Sequence, residues 1–485
     1  MPAELDLSGP LTRRSTRLPQ ELHWAATWHQ RGERLRAWCT RAEGRRMLLL
    51  LALALLVRLP LMAFHGFFYD LQGYAVWGEV LDHHFFDFYT ACCPATLPPH
   101  APPTYPPLTV YLYGLLYAVY ALLGRTITPA PPLDLHQSVP LAIILKLPML
   151  VADLATIALI YAVARRVRSE RLALATAASY AFAPAVLFDG ALWGQTDGLT
   201  LLFILLALLA ALRHRGAWAG VFFALAVLLK PQPLAFAPLP LVYLYRWAGP
   251  RQAVRWLAAA SATVVVVYLP YLLHPVAQIG QFLSVLHDGF RQEPYASIDG
   301  FNLWWFLGAA NHDYATPYLG ALSPNTLGLM LFALVVLVTL AGIWRDPSPG
   351  TLFLGAALVA LAFFDVTTLQ RERYLYPAVA LFLLAAVYNG TLLLFSIGAG
   401  VTAFLNMAMH LIMRADPAFG GFHADPGIDL NAWASFLVHH GEYSIAVAAV
   451  NVGLLLVAVL IFPRTLPGRR ASHSRGQREA DATVM

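Results

Sequence analysis

Residues 322–344 read Leu-Ser-Pro-Asn-Thr-Leu-Gly-Leu-Met-Leu-Phe-Ala-Leu-Val-Val-Leu-Val-Thr-Leu-Ala-Gly-Ile-Trp, and the first charges met after them are Arg345 and Asp346. At a rise of about 1.5 Å per residue, such a run folded as a helix crosses a hydrocarbon layer of roughly 30 Å. Met47 to Ala63 and Ser444 to Phe462 are comparable blocks. With 59% hydrophobic residues, 12% charged residues and a mean hydropathy of +0.60, the chain has more apolar surface than a water-soluble core could hide. Lipid is its solvent. The fold class expected is all-α, a polytopic transmembrane bundle of about 12–13 spans with long non-cytoplasmic loops carrying interfacial helices.

Apolar periodicity places the spans near 47–63, 139–164, 172–190, 198–212, 217–230, 232–245, 254–273, 322–344, 350–366, 373–389, 391–412 and 443–462. Arginine orients them. With the N-terminus inside, 24 of the 30 arginines fall on segments facing the cytoplasm. The net charge of +5 therefore marks topology, and a nucleic-acid partner is not expected. Leu108 to Leu123 is apolar enough to span, but counting it would move Arg165, Arg166, Arg168 and Arg171 outside. It is read as an interfacial or re-entrant helix, with tyrosines 111, 113, 117 and 120 along it. No small-residue cleavage site follows the first apolar block, so that block reads as an uncleaved helix. The stretch around Trp24, Trp28 and Trp38 reads as an interfacial helix, and both termini are expected in the cytoplasm.

This topology leaves three long outer connections, 64–138, 274–321 and 413–442, and chemistry is expected there. The cysteines Cys39, Cys92 and Cys93 make neither a metal spacing nor a disulfide framework. Adjacent histidines, as in His83–His84 and His439–His440, do not readily share one ion, so no metal and no other cofactor are assigned.

Asp70 follows the first span in Phe67-Phe68-Tyr69-Asp70-Leu71-Gln72-Gly73-Tyr74, with Trp77 beyond. A carboxylate at the membrane rim is either an ordinary interfacial acid or a base that takes a proton from an attacking hydroxyl. The next outer turn, Phe188-Asp189-Gly190-Ala191-Leu192-Trp193-Gly194-Gln195-Thr196-Asp197-Gly198, has more hydrogen-bonding groups than a turn requires. Sugars present hydroxyls to carboxylates and amides and C–H faces to indoles, so Trp193, Gln195 and Asp197 suit a glycan pocket. The third cluster is Gln370-Arg371-Glu372-Arg373-Tyr374-Leu375-Tyr376-Pro377, whose two cations on the outer side break the arginine pattern and suit a lipid phosphate. Only two lysines occur, Lys146 and Lys230. Lys230, ahead of Pro231 and Pro233, is placed to face a phosphate, whereas Lys146 is expected to pair with Asp153 two turns away. Ser297 to Trp305 is a further outer stretch suited to lining a groove or to interfacial anchoring.

Over residues 47–390 the order of these motifs resembles the GT-C superfamily of polyprenyl-phosphate-sugar glycosyltransferases, most closely bacterial relatives of the GPI-anchor mannosyltransferases and N-glycan glucosyltransferases. The matching pieces are Asp70 with Tyr74 and Trp77, Tyr105-Pro106-Pro107-Leu108, Trp193-Gly194-Gln195-Thr196-Asp197, Lys230 with its prolines, and Glu372-Arg373-Tyr374 before Tyr376-Pro377. The resemblance implies an inverting transfer of a hexose, with mannose first, from a polyprenyl-phosphate sugar to a glycan, lipid or protein acceptor at the outer face of the inner membrane. It makes Asp70 the catalytic base and Arg371, Arg373 and Lys230 the phosphate ligands. Trp193, Gln195, Asp197, Tyr74, Trp77, Tyr105, Glu372 and Tyr374 become the sugar and acceptor contacts. The implied organisation is a basic cytoplasmic segment 1–46, a transmembrane glycosyltransferase-like domain 47–462 and a disordered cytoplasmic tail 463–485. This sequence departs from the family pattern in having no Asp-x-Asp pair in the first loop and Arg371 where histidine is common. A transporter or lipid-linked glycan flippase is the competing class; it requires charges near the middle of the membrane, where only Lys146 and Asp153 fall.

Overall fold

The computed structural model describes residues 40–64, 68–92, 103–127, 138–413 and 431–465. The helix expected around Trp24 to Trp38, the tail beyond 465 and most of the proline-rich stretches lie outside the described residues. By contact density the chain divides between Leu50 and Leu51. Of the first unit only the start of the helix Ala42–Met62 is described, and everything below concerns the second.

The fold is helical, and the β-pairing among the described residues is confined to isolated bridges. Among the described residues, seven helices are long and apolar enough to cross a membrane, eight when a bent pair counts as one span. Local sequence sets their ends. Ser323 and Ser348 cap the helices Pro324–Arg345 and Pro349–Val366 by accepting from the N–H groups of Thr326 and Thr351, and in each the proline occupies the first turn, where its missing donor costs nothing. Three shorter apolar helices, Asp197–Leu212, Gly216–Leu229 and Tyr376–Tyr388, match further expected spans.

Two expected spans are broken, each at proline. The 172–190 segment is a helix Glu170–Ala181 followed, after a 47° bend at Pro184, by a second piece that closes as a π-turn, Leu187–Trp193. The 232–245 segment divides into a 3₁₀ turn Gln232–Phe236, a short helix Pro238–Tyr243 and a π-turn Leu244–Ala248, because Pro233, Pro238 and Pro240 interrupt the hydrogen-bond ladder.

Sequence neighbours pack as antiparallel pairs, so the bundle has two ends. At one, Arg168 donates to the Val387 carbonyl, the Gly216 N–H to the Gln252 side chain and Tyr243 to the Pro347 carbonyl. These contacts collect the turns that carry Arg165, Arg166, Arg213, Arg215, Arg246 and Arg345. At the other end lie Lys230, Trp193 and Arg373. The helix Pro107–Ile127 is tied to this second end: Thr109 donates to the Leu229 carbonyl and Tyr111 to that of Val267, while Tyr120 meets Ser138 at the start of Val139–Ala164. It is also one of the helices long and apolar enough to cross a membrane.

The helices Pro349–Val366 and Tyr376–Tyr388 form the centre, with nearly every side chain buried. The connection between them carries the third motif. It is tied to residues 295–300 by the Leu369 N–H to the Ala296 carbonyl and by the Gln370 carbonyl, which accepts from the backbone at 298, 299 and 300. Two buried amides fix the partner loop. Asn406 accepts from the Phe301 N–H and donates to the Asp299 carbonyl, and Asn451 donates to the Phe301 carbonyl.

Two expectations about isolated residues change. Asp153 pairs with Arg58 at 2.8 Å inside the bundle, not with Lys146. The Lys146 ammonium donates instead to the carbonyls of Phe64, Ala191 and Leu192, at the end of the π-turn, where chain carbonyls would otherwise lack donors. Cys92 is disulfide-bonded, although no disulfide was expected; its partner lies outside the described residues.

Candidate active site

Asp70 sits in the first turn of the helix Phe68–His83. Its Oδ2 accepts from Trp193 Nε1 at 2.9 Å and from Gln195 Nε2 at 2.6 Å. Both bonds fall on one oxygen, so Oδ1 is left without a hydrogen bond among the described residues. That asymmetry fixes the carboxylate plane and leaves one oxygen to act.

The two donors are aimed by the π-turn. The extra residue in its ladder turns Trp193 inward, and Gly194 then reverses the chain at φ 90°, in the left-handed region. A side chain at Gly194 would also meet Leu71 Cδ1 at 2.8 Å and Lys146 Cγ at 3.0 Å. Gln195 is fully buried and saturated from both sides, since its Oε1 accepts from Tyr74 at 3.1 Å. Tyr74 stacks on Tyr113 at 4.1 Å and meets Trp77 and Tyr105 edge-on. These rings form an aromatic wall beside Asp70.

Across the site, Lys230 Nζ bonds Asp197 Oδ2 at 2.7 Å and lies 5.7 Å from the centre of the Tyr105 ring. The helix that ends at Leu229 and the prolines that follow hold this ammonium in a buried position. Arg373 bonds Glu372, and its guanidinium lies over both Trp193 and Tyr374, at 5.7 and 5.8 Å from the ring centres. The Arg373 Nε is buried, 3.8 Å from Asp197 Oδ2, with no hydrogen-bond acceptor. Burial is the largest single influence on Arg373 and Glu372 and opposes both charges, but the surrounding opposite charges together outweigh it, each of the pair being the main one for the other. The guanidinium is held well above its ordinary value, and the carboxyl, with help from His410, below it.

A cavity opens from this cluster. Its lining combines polar side chains, Asp197, Lys230, Gln232 and Tyr374 among them, with apolar ones that include Ile204, Phe236, Ala360 and Phe363. A ligand with both charged and hydrocarbon parts suits such a mixed lining.

The network thus contains Asp70, Tyr74, Trp77, Tyr105, Trp193, Gln195, Asp197, Lys230, Glu372, Arg373 and Tyr374. Arg371 is turned away from the cavity: its guanidinium pairs with Glu293 and lies 3.5 Å from Asp299. Three nearby groups were not singled out from sequence. His410, near the end of Leu393–Met413, stacks parallel to Trp193 at 6.5 Å and lies 3.1 Å from Asp299. Glu293 anchors Arg371. Asp299 lies within a stretch noted for its aromatics; the signal that was available was an acid beside Gly300 in an outer loop.

A polytopic helical bundle with a carboxylate, aromatic platforms and buried cations at one end has the parts of a membrane-embedded glycosyltransferase. Residues 98–369 match glycosyltransferase family 87, and the chain belongs to that family, which is of the GT-C type. The match takes in Tyr105, Trp193, Gln195, Asp197 and Lys230, while Asp70 precedes it and Glu372 and Arg373 follow it. No curated protein matches the chain.

Proposed function

We propose that this glycosyltransferase moves a hexose, mannose in our reading, from a polyprenyl-phosphate sugar to a glycan, lipid or protein acceptor, with inversion. In the step proposed, the acceptor hydroxyl attacks the anomeric carbon and Asp70 Oδ1 takes its proton. The bond from that carbon to the phosphate oxygen breaks, and its electron pair leaves with the polyprenyl phosphate. Lys230 and Arg373 then face the charge on the departing phosphate, and Tyr74, Trp77, Tyr105, Trp193, Gln195, Asp197, Glu372 and Tyr374 surround the sugar and acceptor.

The observation that carries this reading is the split at Asp70. One oxygen is held by two donors and the other accepts no hydrogen bond among the described residues, while the buried Nε of Arg373 lacks an acceptor. The mixed polar and apolar lining of the cavity supports a lipid-borne donor. The arginine-rich turns gather at the opposite end of the bundle, which supports a site on the non-cytoplasmic face of the inner membrane and cytoplasmic termini. Mannose comes from the family resemblance alone. The test is a donor panel: purified protein in nanodiscs, polyprenyl-phosphate mannose, glucose and arabinose in turn, and membrane extract as the source of acceptor. Consumption of the mannose donor above the others is expected; consumption of none would overturn the proposal.

A further inference from the structure

The cations assigned to the donor phosphate are already neutralised by the protein. Lys230 is paired with Asp197, Arg371 with Glu293 and Arg373 with Glu372. Asp70 and Asp299 add two more carboxylates to the same chamber, so its formal charge is negative before any ligand arrives. A phosphodiester entering such a chamber meets repulsion unless further positive charge comes with it.

The side chains show where that charge fits. Asp299, Glu372 and His410 are all buried, and one ligand atom from each lies within 4.8 Å of the others. They come from three separate elements, the 293–302 loop, the 367–375 connection and the helix Leu393–Met413. Each carboxylate gives an oxygen to an arginine: Asp299 Oδ2 to Arg371, and Glu372 Oε1 to Arg373. Their second oxygens turn toward His410, with Asp299 Oδ1 3.1 Å from Nδ1 and Glu372 Oε2 3.9 Å from Nε2. Glu372 Oε2 is buried and has no hydrogen-bond partner. A neutral imidazole offers one lone pair, on whichever nitrogen lacks the proton, and with one oxygen of each carboxylate it makes a three-atom set that a cation would hold together. At metal–ligand distances of about 2.0–2.2 Å, neighbouring ligand atoms lie about 3–4 Å apart. The arginines take the part of the outer partners that orient carboxylate ligands in metal sites.

We propose that Asp299, Glu372 and His410 bind a divalent cation, and that it supplies the positive charge the donor phosphate requires. The role, though not the site, rests on the glycosyltransferase reading. One imidazole with two carboxylates suits the borderline ion Zn²⁺, and Mn²⁺, a transition metal higher in the affinity order for nitrogen donors, better than Mg²⁺ or Ca²⁺, which prefer oxygen donors throughout. His410 also stacks on Trp193, whose indole N–H holds Asp70, so the ion would share a wall with the reacting centre.

Purified full-length protein, stripped with chelator and placed in nanodiscs, is titrated with Mn²⁺ while the signal of the free ion is followed by electron paramagnetic resonance. The site predicts one tightly bound ion per chain, displaced by Zn²⁺, and binding at least tenfold weaker in His410→Ala, His410→Gln and Glu372→Gln. Asp346→Asn, at the opposite end of the bundle, is expected to bind as the parent does. Failure of the parent protein to take up Mn²⁺ or Zn²⁺ would overturn the site. Equal binding by folded His410→Ala and His410→Gln would overturn it as well. Binding is read apart from turnover: an ion bound by a protein that uses no donor keeps the site and removes the enzyme reading, and turnover without any bound ion does the reverse.

Discussion

Gln195→Met tests whether the amide sets the position of Asp70. Methionine fills nearly the same volume but cannot donate, so the 2.6 Å bond to Asp70 Oδ2 is lost while the indole bond at 2.9 Å remains. A hydrogen bond to a charged group is worth about 1.5–3 kcal/mol, and each 1.4 kcal/mol is about tenfold in rate, so kcat/KM should fall by about 10- to 100-fold. The same change orphans the buried Tyr74 hydroxyl, which donates to Gln195 Oε1, and that loss costs stability as well as rate. Tyr74→Phe separates the two. Added to Gln195→Met it removes the orphan, so the double variant should recover thermal stability in detergent while its rate stays low. The assay is donor consumption, with melting followed on the same preparations. A folded Gln195→Met protein within about threefold of the parent rate would refute the claim that this amide aligns the base.

Gly194→Ala should lower stability by about 1–3 kcal/mol, because φ 90° suits only glycine and the added carbon meets Leu71 and Lys146; an unchanged melting temperature would contradict this. Arg58→Met leaves Asp153 unpaired in the bundle and should cost about 3–5 kcal/mol, most of it restored by adding Asp153→Leu, as read by thermal melting. Glu372 has its carboxyl held below the ordinary value of 4.5, so its contribution to stability is present above that pH and is lost as pH falls through the folded value. The gap in melting temperature between parent and Glu372→Gln should therefore be constant above about pH 5 and close below it; a gap that widens on acidification would contradict the assignment.

Much of this arrangement could be read from the amino acids because membrane constraints are strong. A lipid solvent makes spans visible as apolar runs and puts arginines at one end, so the polar motifs stood out against a predictable background. The cluster at 188–198 and the Glu372–Arg373 pair were legible for that reason. The breaks in 172–190 and 232–245 were signalled by Pro184, Pro233, Pro238 and Pro240, which count little in a hydropathy window yet remove backbone donors. Lys146 and Asp153 have suitable helical spacing, but Arg58 comes from another helix, and no local pattern reports such a partner. Arg371 was read together with Arg373 because they are near neighbours, whereas the turn between them sends the first to Glu293 and the second over Trp193. His410 escaped notice as a single histidine at the end of an apolar run. Its meaning depends on Asp299 and Glu372, which only the tertiary fold brings to it.

The central claim is that Asp70 removes the proton from the acceptor. The most direct measurement is single-turnover sugar transfer by Asp70→Asn, which keeps the shape of the side chain and gives up the base, alongside the parent protein with the same donor and acceptor. The account predicts that transfer falls by at least 10³-fold, on the scale of a lost general base, while donor binding stays within a few fold of the parent. Transfer at the parent rate by folded Asp70→Asn protein would contradict it and place the base elsewhere in the chamber.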